Sequence, residues 1–193
     1  MLTSETWHLN KIGIMSDRLI EDIKGHVVDV PDFPRPGILF KDIMPLFRHP
    51  DLVKDLCQRL ADMLSALPGG PPDVIIGIEA RGFLIAPLIA QILNSSLVVI
   101  RKKGKLPREC ISVKYEKEYG ADEFDLQKDA FQAGQTVAIV DDLLATGGTL
   151  EAAARLTKML GGVVSAHVVV FELEFLEGRK RLGDTDVISL VKY

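Results

Sequence analysis

The sequence predicts an α/β protein with a mostly parallel central sheet flanked by helices. Short, continuously apolar runs rich in β-branched residues alternate along the chain with longer segments whose apolar residues recur at helical spacing. Such runs are typical of strands covered on both faces, and their alternation with helices favours parallel pairing. A chain of 193 residues suffices for one good-sized core, so we expect a single domain over residues 1–193.

Three helices are predicted: in Asp51–Leu67 apolar residues recur at helical spacing, whereas Phe83–Leu93 is apolar nearly all round, as expected of a buried helix. Pro68 and Gly161 mark the ends of the first and third, because proline and glycine interrupt a helix. The predicted helices are Asp51–Leu67, Phe83–Leu93 and Thr149–Leu160.

Five short apolar runs predict the strands of the sheet. These are Val74–Ile78, Leu97–Ile100, Thr136–Val140, Val163–Phe171 and Val187–Val191. Ligands of open α/β sheets bind beyond the carboxyl ends of the strands. We therefore expect one crevice formed by the loops Glu79–Gly82, Arg101–Lys105 and Asp141–Thr149.

Composition and net charge exclude several classes of function. Hydrophobic residues make up 47% of the chain and the net charge is -4, which does not suggest a nucleic-acid or anionic-membrane partner. No apolar run approaches the roughly 20 residues that span a bilayer, and no signal pattern opens the chain. Cys57 and Cys110 are too few and too far apart to indicate a disulfide framework or a zinc site. We expect a cytoplasmic protein.

The segment Val137–Leu150 carries the most specific chemistry. A buried strand ends in Asp141 and Asp142, and a loop of small residues then leads into a helix. Closely spaced backbone N–H groups and two threonine hydroxyls at a helix N-terminus form a cradle for a phosphate. The two carboxylates are placed for sugar hydroxyls or a magnesium ion. Together these groups suit a ribose 5-phosphate.

An ordinary strand–turn–helix connection is the alternative interpretation of this segment, with glycine used for backbone freedom. Two other nucleotide-binding patterns are absent. The chain has no Gly-Lys-Ser/Thr of a Walker A loop, and no Gly-x-Gly-x-x-Gly follows a strand.

Two further loops contain cations near the predicted crevice. Arg81, in Glu79–Gly82, is either a surface charge, a partner of Glu79 or an anion-binding residue, and its position favours the last. The basic run Arg101–Lys105 is either a solvated loop or a site that attracts a polyanion. The chain from this run to about Phe124 has weak periodicity, so we expect an irregular, mobile lid that excludes water.

The Pro-rich segment Val30–Ile43 cannot be a central strand or helix. It is either a loop that merely caps the sheet or a segment that contacts a ligand. In the second case, Phe33 and Phe40 would supply an apolar face for a planar ring.

Five motifs stand in one order in this chain: Pro-Asp-Phe-Pro-Arg-Pro-Gly-Ile-Leu-Phe-Lys-Asp-Ile, Glu-Ala-Arg-Gly-Phe, Ile-Arg-Lys-Lys-Gly-Lys-Leu-Pro, Tyr-Glu-Lys-Glu-Tyr-Gly and Val-Asp-Asp-Leu-Leu-Ala-Thr-Gly-Gly-Thr. In this order they resemble the type I phosphoribosyltransferase family, and within it the branch that acts on adenine. The likeness runs from about Ile20 to Tyr193.

The resemblance implies the type I phosphoribosyltransferase fold, with a hood at about residues 28–45 and a lid loop at about residues 101–125. About residues 1–17 form an N-terminal extension without an assigned role. It also implies a homodimer that joins adenine to 5-phosphoribosyl 1-pyrophosphate (PRPP), giving AMP and pyrophosphate with Mg²⁺ present. The magnesium ion would be held mainly by the substrate phosphates, with Asp141 and Asp142 nearby.

The resemblance also assigns roles to residues at the matched positions. The adenine-binding residues would be Phe33, Leu39, Phe40 and Lys41. The catalytic residues would be Glu118, Tyr119 and Arg81. The ribose and 5-phosphate would contact Asp141, Asp142, Ala145, Thr146, Gly147, Gly148 and Thr149. The pyrophosphate would contact Glu79, Ala80, Arg81, Arg101, Lys102 and Lys105.

Two residues depart from the family pattern, and one backbone feature is expected from it. Lys41 stands where arginine is common, and Glu79 stands where aspartate is common, which leaves the geometry of a tight loop open. A cis peptide bond that does not involve proline is expected at Ala80–Arg81.

Two alternative functions remain open at this point. One is a phosphoribosyltransferase for a 6-oxopurine (hypoxanthine, guanine or xanthine), which the Phe33–Lys41 segment would decide. The other is a PRPP-sensing regulator without catalytic activity. The segment before Val30 is short for the DNA-binding domain that such regulators carry, and a lid carrying Glu118 and Tyr119 would have no use there.

Overall fold

The computed structural model describes residues 17–117 and 120–193. The chain divides into two compact units, the first up to Leu56 and the second from Cys57 onward. The first unit contains a helix over residues 17–25 (α1) and two short antiparallel strands, Val28–Pro31 (β1) and Leu39–Asp42 (β2). The predicted hood therefore contains a small two-stranded sheet, separate from the central one.

The remaining helices and strands are defined as follows. The helices are Pro50–Ser65 (α2), Gly82–Leu93 (α3), Gly148–Met159 (α4) and Arg179–Leu182 (α5). The strands are Val74–Ile78 (β3), Ser96–Lys102 (β4), Cys110–Lys117 (β5), Gly120–Gln127 (β6), Thr136–Val140 (β7), Leu143–Leu144 (β8), Val163–Glu172 (β9) and Asp186–Lys192 (β10). Helix α2 begins in the first unit and continues into the second.

The central sheet of the second unit has the strand order β10-β9-β7-β3-β4-β6-β5, with β8 paired to β9. Strands β10 to β4 of this order pair in parallel, and β6 and β5 continue the sheet antiparallel. The prediction of a mostly parallel sheet with flanking helices is confirmed. The parallel strands β3 and β7 are buried along nearly their whole length, as their continuous apolar sequences require.

The expectation of irregular chain up to Phe124 was wrong. Residues 110–117 and 120–127 pair as the antiparallel strands of the β5–β6 hairpin, in which Val113 and Tyr115 face the core with Phe124 and Leu126. The Tyr115 and Phe124 rings stack with centroids 4.6 Å apart. Charged residues alternate with these apolar ones, so the segment has the period of a half-buried strand. The lid function of this segment stays a prediction.

One hydrophobic cluster of the second unit lies between the central sheet and α4. It includes buried side chains from β3, β7, β9 and the hairpin, together with Leu150 and Leu156 of α4. Within the described ranges, no helix is both long and apolar enough to cross a membrane.

Candidate active site

The loop Ala145–Thr149, called here the phosphate loop, joins β8 to α4 at the carboxyl edge of the sheet. Gly147 precedes the first residue of α4 and has φ +84°, a left-handed conformation that favours glycine. A cavity of about 170 Å³ opens at this helix N-terminus. Its lining consists of Arg81 and residues 141–150. The first turn of a helix carries partial positive charge on its N–H groups, which favours an anion at this end of the cavity.

Asp141 and Asp142, called here the acid pair, line the cavity. The Asp142 backbone N–H donates to Oδ1 of Asp141 at 2.9 Å, while the Asp142 carbonyl accepts from Val170 and Phe171 of β9 at 3.1 and 3.0 Å. Burial and the neighbouring Asp142 carboxylate raise the pKa of Asp141. Burial also raises the pKa of Asp142, although the Arg81 guanidinium opposes this rise. The two carboxyl groups therefore resist carrying two negative charges at once, and a cation or a hydroxyl donor beside them would relieve this repulsion.

The turn after β3 meets the end of β7 in direct backbone contact. A Cβ atom placed on Gly82 would lie 2.6 Å from the Val140 carbonyl oxygen, so only glycine fits there. The non-proline cis peptide bond is Glu79–Ala80, not Ala80–Arg81 as the resemblance suggested. The sequence offers no physical signal that distinguishes these adjacent bonds. The contact brings Arg81 and the acid pair to one cavity.

Glu79 connects this turn to the basic loop that follows β4. Its carboxylate accepts hydrogen bonds from Lys105 Nζ at 2.9 Å, the Lys102 backbone N–H at 2.9 Å and Arg101 Nε at 3.2 Å. Burial favours a raised pKa for Glu79, but these donors outweigh it and lower the pKa to about 2. Glu79 is therefore an anion that orients two cations.

Carboxylates of β6 hold the other side of the basic loop. Asp125 is buried and accepts from the Gly104 backbone N–H at 2.8 Å, and Lys103 Nζ lies 2.6 Å from Glu123 Oε1. Lys102 Nζ lies 3.4 Å from Asp122 Oδ2. The loop is thus fixed between Glu79 and the hairpin strand, not freely solvated.

The phosphoribosyl transferase domain family matches residues 46–189. An adenine phosphoribosyltransferase of Thermoanaerobacter sp. (strain X514) is 47% identical over 174 residues, which are 90% of this chain and 99% of that protein. This chain belongs to the adenine phosphoribosyltransferase family. The coverage is nearly complete in both directions.

Two solved structures of the family share its fold. The adenine phosphoribosyltransferase of Thermoanaerobacter pseudethanolicus has a TM-score of 0.86 at 45% identity, covering 90% of this chain and 99% of that one. The Saccharomyces cerevisiae enzyme, complexed with adenine and an imino-altritol bisphosphate, has a TM-score of 0.82 at 40% identity, with the same two coverages.

Not all residues that the resemblance assigned to this phosphoribosyltransferase meet at one place in the structure. Arg81, the acid pair and the phosphate loop line the cavity, and Glu79 contacts Arg101, Lys102 and Lys105. Glu118 and Tyr119 lie outside the described residues. Their proposed roles stay predictions.

The four residues predicted to bind adenine all lie in the first unit. Phe33 and Leu39 are 50% and 52% exposed. The rings of Phe33 and Phe40 pack edge to face with centroids 5.0 Å apart, and Lys41 Nζ lies 2.6 Å from Asp29 Oδ1. The exposed Phe33 and the half-buried Phe40 form the kind of aromatic surface that a planar base can cover. Contact with adenine stays a prediction.

Sequence reasoning missed Gly178, which lies against the phosphate loop. A Cβ atom on Gly178 would overlap the Ala145 carbonyl oxygen and approach the Gly147 nitrogen to 3.1 Å. An isolated glycine far along the chain gives no local signal of such a contact.

Proposed function

We propose that this chain transfers the 5-phosphoribosyl group of PRPP to adenine, giving AMP and pyrophosphate in purine salvage. One observation carries the proposal: Arg81, the acid pair and the phosphate loop line a single cavity at the start of α4. That arrangement occurs in a chain that is 47% identical to an adenine phosphoribosyltransferase of Thermoanaerobacter sp. (strain X514) over 99% of that protein.

In this proposal, each part of PRPP meets a chemically matched surface. The 5-phosphate lies in the phosphate loop, where N–H groups of a helix start face an anion. The ribose hydroxyls donate to Asp141 and Asp142. The pyrophosphate is held by Arg81 and the Glu79–Ala80 backbone, together with the cations Arg101, Lys102 and Lys105.

The reaction requires no covalent enzyme intermediate. The bond between C1 of the ribose and the pyrophosphate oxygen breaks, and a ring nitrogen of adenine forms the new bond to C1. The transition state has oxocarbenium character, so positioning of the two substrates and stabilisation of the leaving anion supply most of the catalysis. The carboxylates near the ribose are placed to favour positive charge on the sugar.

The donor set fits a magnesium ion that enters with the substrate. Among the described residues, no group of three His, Cys, Asp or Glu side chains could enclose a metal ion. Magnesium is typically held by one or two carboxylates together with substrate phosphates and water, and Asp141 and Asp142 supply such carboxylates. When bound, Mg²⁺ supplies positive charge to the departing pyrophosphate.

For the base, we propose that Phe33 and Phe40 contact the adenine ring and that Leu39 and Lys41 read its edge through backbone groups. A yeast relative was solved with adenine, which supports a site for this base in the family. Glu118 acts as the general acid/base for the adenine ring, and Tyr119 belongs to the same lid.

We propose a homodimer that acts in the cytoplasm. Leu84, Leu88 and Ile92 recur at every fourth position of α3 and are 37%, 38% and 39% exposed, forming an apolar stripe. A second copy of this chain would bury that stripe. Sedimentation of wild type and Leu88→Glu tests the dimer, because a charge in the stripe should yield monomers.

A panel of bases with labelled PRPP tests the function. We expect AMP formation from adenine and little product from hypoxanthine, guanine or xanthine. Ribose 5-phosphate in place of PRPP is the control, because it lacks the leaving group and should give no product. Rapid use of a 6-oxopurine with negligible adenine turnover would reject the proposal in favour of that specificity. PRPP binding without any nucleotide product would favour a regulator.

A further inference from the structure

The segment Gly178–Leu182, called here the brace, lies directly behind the phosphate loop. Gly178 has φ -57°, a conformation open to any residue, so its backbone does not require glycine. The contacts of Gly178 do require glycine, because a Cβ atom there would overlap the Ala145 carbonyl oxygen and lie 2.7 Å from Leu144 Cδ1. A side chain at Gly178 could fit only if the phosphate loop moved.

The contact between the brace and the phosphate loop is equally close when it is measured from Gly147. A Cβ atom on Gly147 would lie 2.6 Å from the Gly178 carbonyl oxygen and 3.2 Å from Arg181 Cβ. Two backbones therefore touch without an intervening side chain. Such a contact transmits small displacements, because packed protein interiors compress little.

Arg179 fixes the brace to the sheet through a buried carboxylate. Its guanidinium makes two hydrogen bonds to Glu172 of β9 and donates to Ser189 Oγ at 3.1 Å and to the Val187 carbonyl at 3.0 Å in β10. Glu172 is buried, and the Arg179 hydrogen bonds hold the pKa of Glu172 below its ordinary value. A bidentate arginine–carboxylate pair has a fixed geometry, so the brace has a defined position.

The far end of the brace is attached to α4. Arg181 Nε lies 2.8 Å from Glu151 Oε2 in the first turn of that helix, and Leu182 is buried in the core. The brace thus connects β9, β10 and the start of α4 around the outside of the phosphate loop.

We infer that Gly178 and Arg179 are positioning residues that set the backbone of the phosphate loop for the 5-phosphate of the substrate. The inference rests on the proposed function, which places that phosphate in the loop. Binding by backbone N–H groups depends on their direction, and a displacement of about 1 Å in a substrate-positioning element can cost about 100-fold in rate.

Two glycine substitutions distinguish an effect on the position of the phosphate loop from the general effect of a steric collision. Gly178→Ala pushes the phosphate loop, whereas Gly162→Ala creates a collision elsewhere, with its Cβ 2.7 Å from Phe131 Cε2 and 2.9 Å from Thr157 Cγ2. We expect Gly178→Ala to raise KM for PRPP and Kd for ribose 5-phosphate about tenfold or more, with KM for adenine nearly unchanged. Gly162→Ala should lower Tm and leave both constants for phosphorylated ligands unchanged.

Arg179 provides a second test that does not depend on the folding of Gly178→Ala. Arg179→Met should raise KM for PRPP more than it lowers kcat. Arg179→Lys should recover part of the loss, because it keeps the charge but not the bidentate geometry. A structural role alone would lower Tm in both variants without this selective effect on the phosphorylated ligand.

The outcomes distinguish the inference from the proposed function. If Gly178→Ala and Arg179→Met both bind ribose 5-phosphate as tightly as wild type does, the inference fails and the proposed function stands. If wild type itself binds neither PRPP nor ribose 5-phosphate, the proposed function fails, and the inference fails with it. Equal KM increases in Gly178→Ala and Gly162→Ala would also overturn the inference.

Discussion

Arg81 Nε lies 2.9 Å from Oδ2 of Asp142, so the turn after β3 and the acid pair after β7 are joined by an ion pair. The Asp142 carboxylate is buried, while about a third of the Arg81 side chain is exposed to the cavity. In the proposed reaction, this pair stands between the surfaces for ribose and for pyrophosphate. The pairing suggests that the two surfaces are set relative to each other before substrate binds.

Asp142→Asn should weaken PRPP use while the fold survives. Asparagine has a similar size but cannot balance the Arg81 charge or accept as strongly from a hydroxyl. Hydrogen bonds to charged groups contribute about 1.5–3 kcal/mol, so kcat/KM for PRPP should fall about 10- to 100-fold. Steady-state kinetics with PRPP varied measure the loss, with the exposed Asp184→Asn as control. Unchanged kinetics would remove Asp142 from the ribose site.

Asp141→Asn should stabilise the protein and impair its activity. Folding raises the pKa of Asp141 above its ordinary value of 3.8 through burial and repulsion by Asp142. The folded state is therefore penalised as pH rises through the folded-state pKa, and it is not penalised below about pH 4. The variant should melt higher than wild type at pH 8, by about 2–4 °C for each kcal/mol gained.

Thermal unfolding from pH 8 to pH 4 checks this prediction. The stability gain of Asp141→Asn should shrink as the pH falls, because wild type then carries the proton that relieves the repulsion. A variant that is less stable than wild type at pH 8 would contradict the raised pKa.

Glu79→Gln should release Arg101 and Lys105 and raise KM for PRPP several-fold. It should also lower stability with a defined pH dependence. The pKa of Glu79 is lowered to about 2 from 4.5, so its contribution is present above about pH 4.5 and is lost as pH falls toward 2. Urea unfolding at pH 7, 4 and 3 should show a deficit in the variant that narrows with acidity.

Glu109→Gln is the matched control for this experiment. Its side chain is 82% exposed and pairs with Lys128 at the surface, where ion pairs contribute little. If Glu109→Gln loses as much unfolding free energy as Glu79→Gln does, the hydrogen bonds of Glu79 contribute no more than an exposed ion pair.

Glu118→Gln should lower kcat far more than it changes the affinity for PRPP. If Glu118 exchanges a proton with the adenine ring, the amide loses that ability, and general acid–base catalysis typically contributes 10²- to 10⁴-fold. Pre-steady-state turnover together with PRPP binding by calorimetry separates the two effects. Glu116→Gln, two positions earlier, is the control. Wild-type kcat in Glu118→Gln would exclude this role.

His167→Leu should make the protein less sensitive to acid. His167 is buried in β9, and its Nδ1 lacks a hydrogen-bond partner in the described part of the chain. Burial, with a smaller effect of Lys158, lowers its pKa to about 4 from 6.5. The unfolded chain takes up the proton first, so this contribution to stability is lost as pH falls from about 6.5 to 4.

The loss in wild type corresponds to about 3 kcal/mol between pH 7 and 4 at 1.36 kcal/mol per pKa unit. Urea unfolding across this range should give a flatter pH profile for His167→Leu than for wild type. His49→Leu, at an exposed position, is the control for the loss of a histidine. Parallel profiles for wild type and His167→Leu would refute the prediction.

The sheet was predictable because its central strands carry unbroken apolar runs. Val74–Ile78 and Thr136–Val140 have the same bounds in sequence and structure. Strand β6 was not found, because its buried Asp125 is satisfied by Gly104 and Ser112 from elsewhere in the chain. A charge neutralised by distant donors looks like a solvent-exposed residue when only its neighbours in sequence are considered.

The parts of the site that form one continuous stretch of sequence were predictable, whereas contacts between residues far apart in the sequence were not. The acid pair and the phosphate loop form one stretch of sequence, so the likeness to a phosphate cradle was visible. That Arg81 pairs with Asp142, and that Gly178 touches Ala145, depends on strand order and on backbone proximity. Neither can be deduced from residue types alone.

The backbone contact between Gly82 and Val140 has a consequence for engineering the family. Gly82 has room for only a hydrogen atom. The turn after β3 and the loop after β7 therefore cannot be lengthened or exchanged one at a time while the other keeps its position. Chimeras that take these loops from a relative should fold well only when both loops come from the same relative.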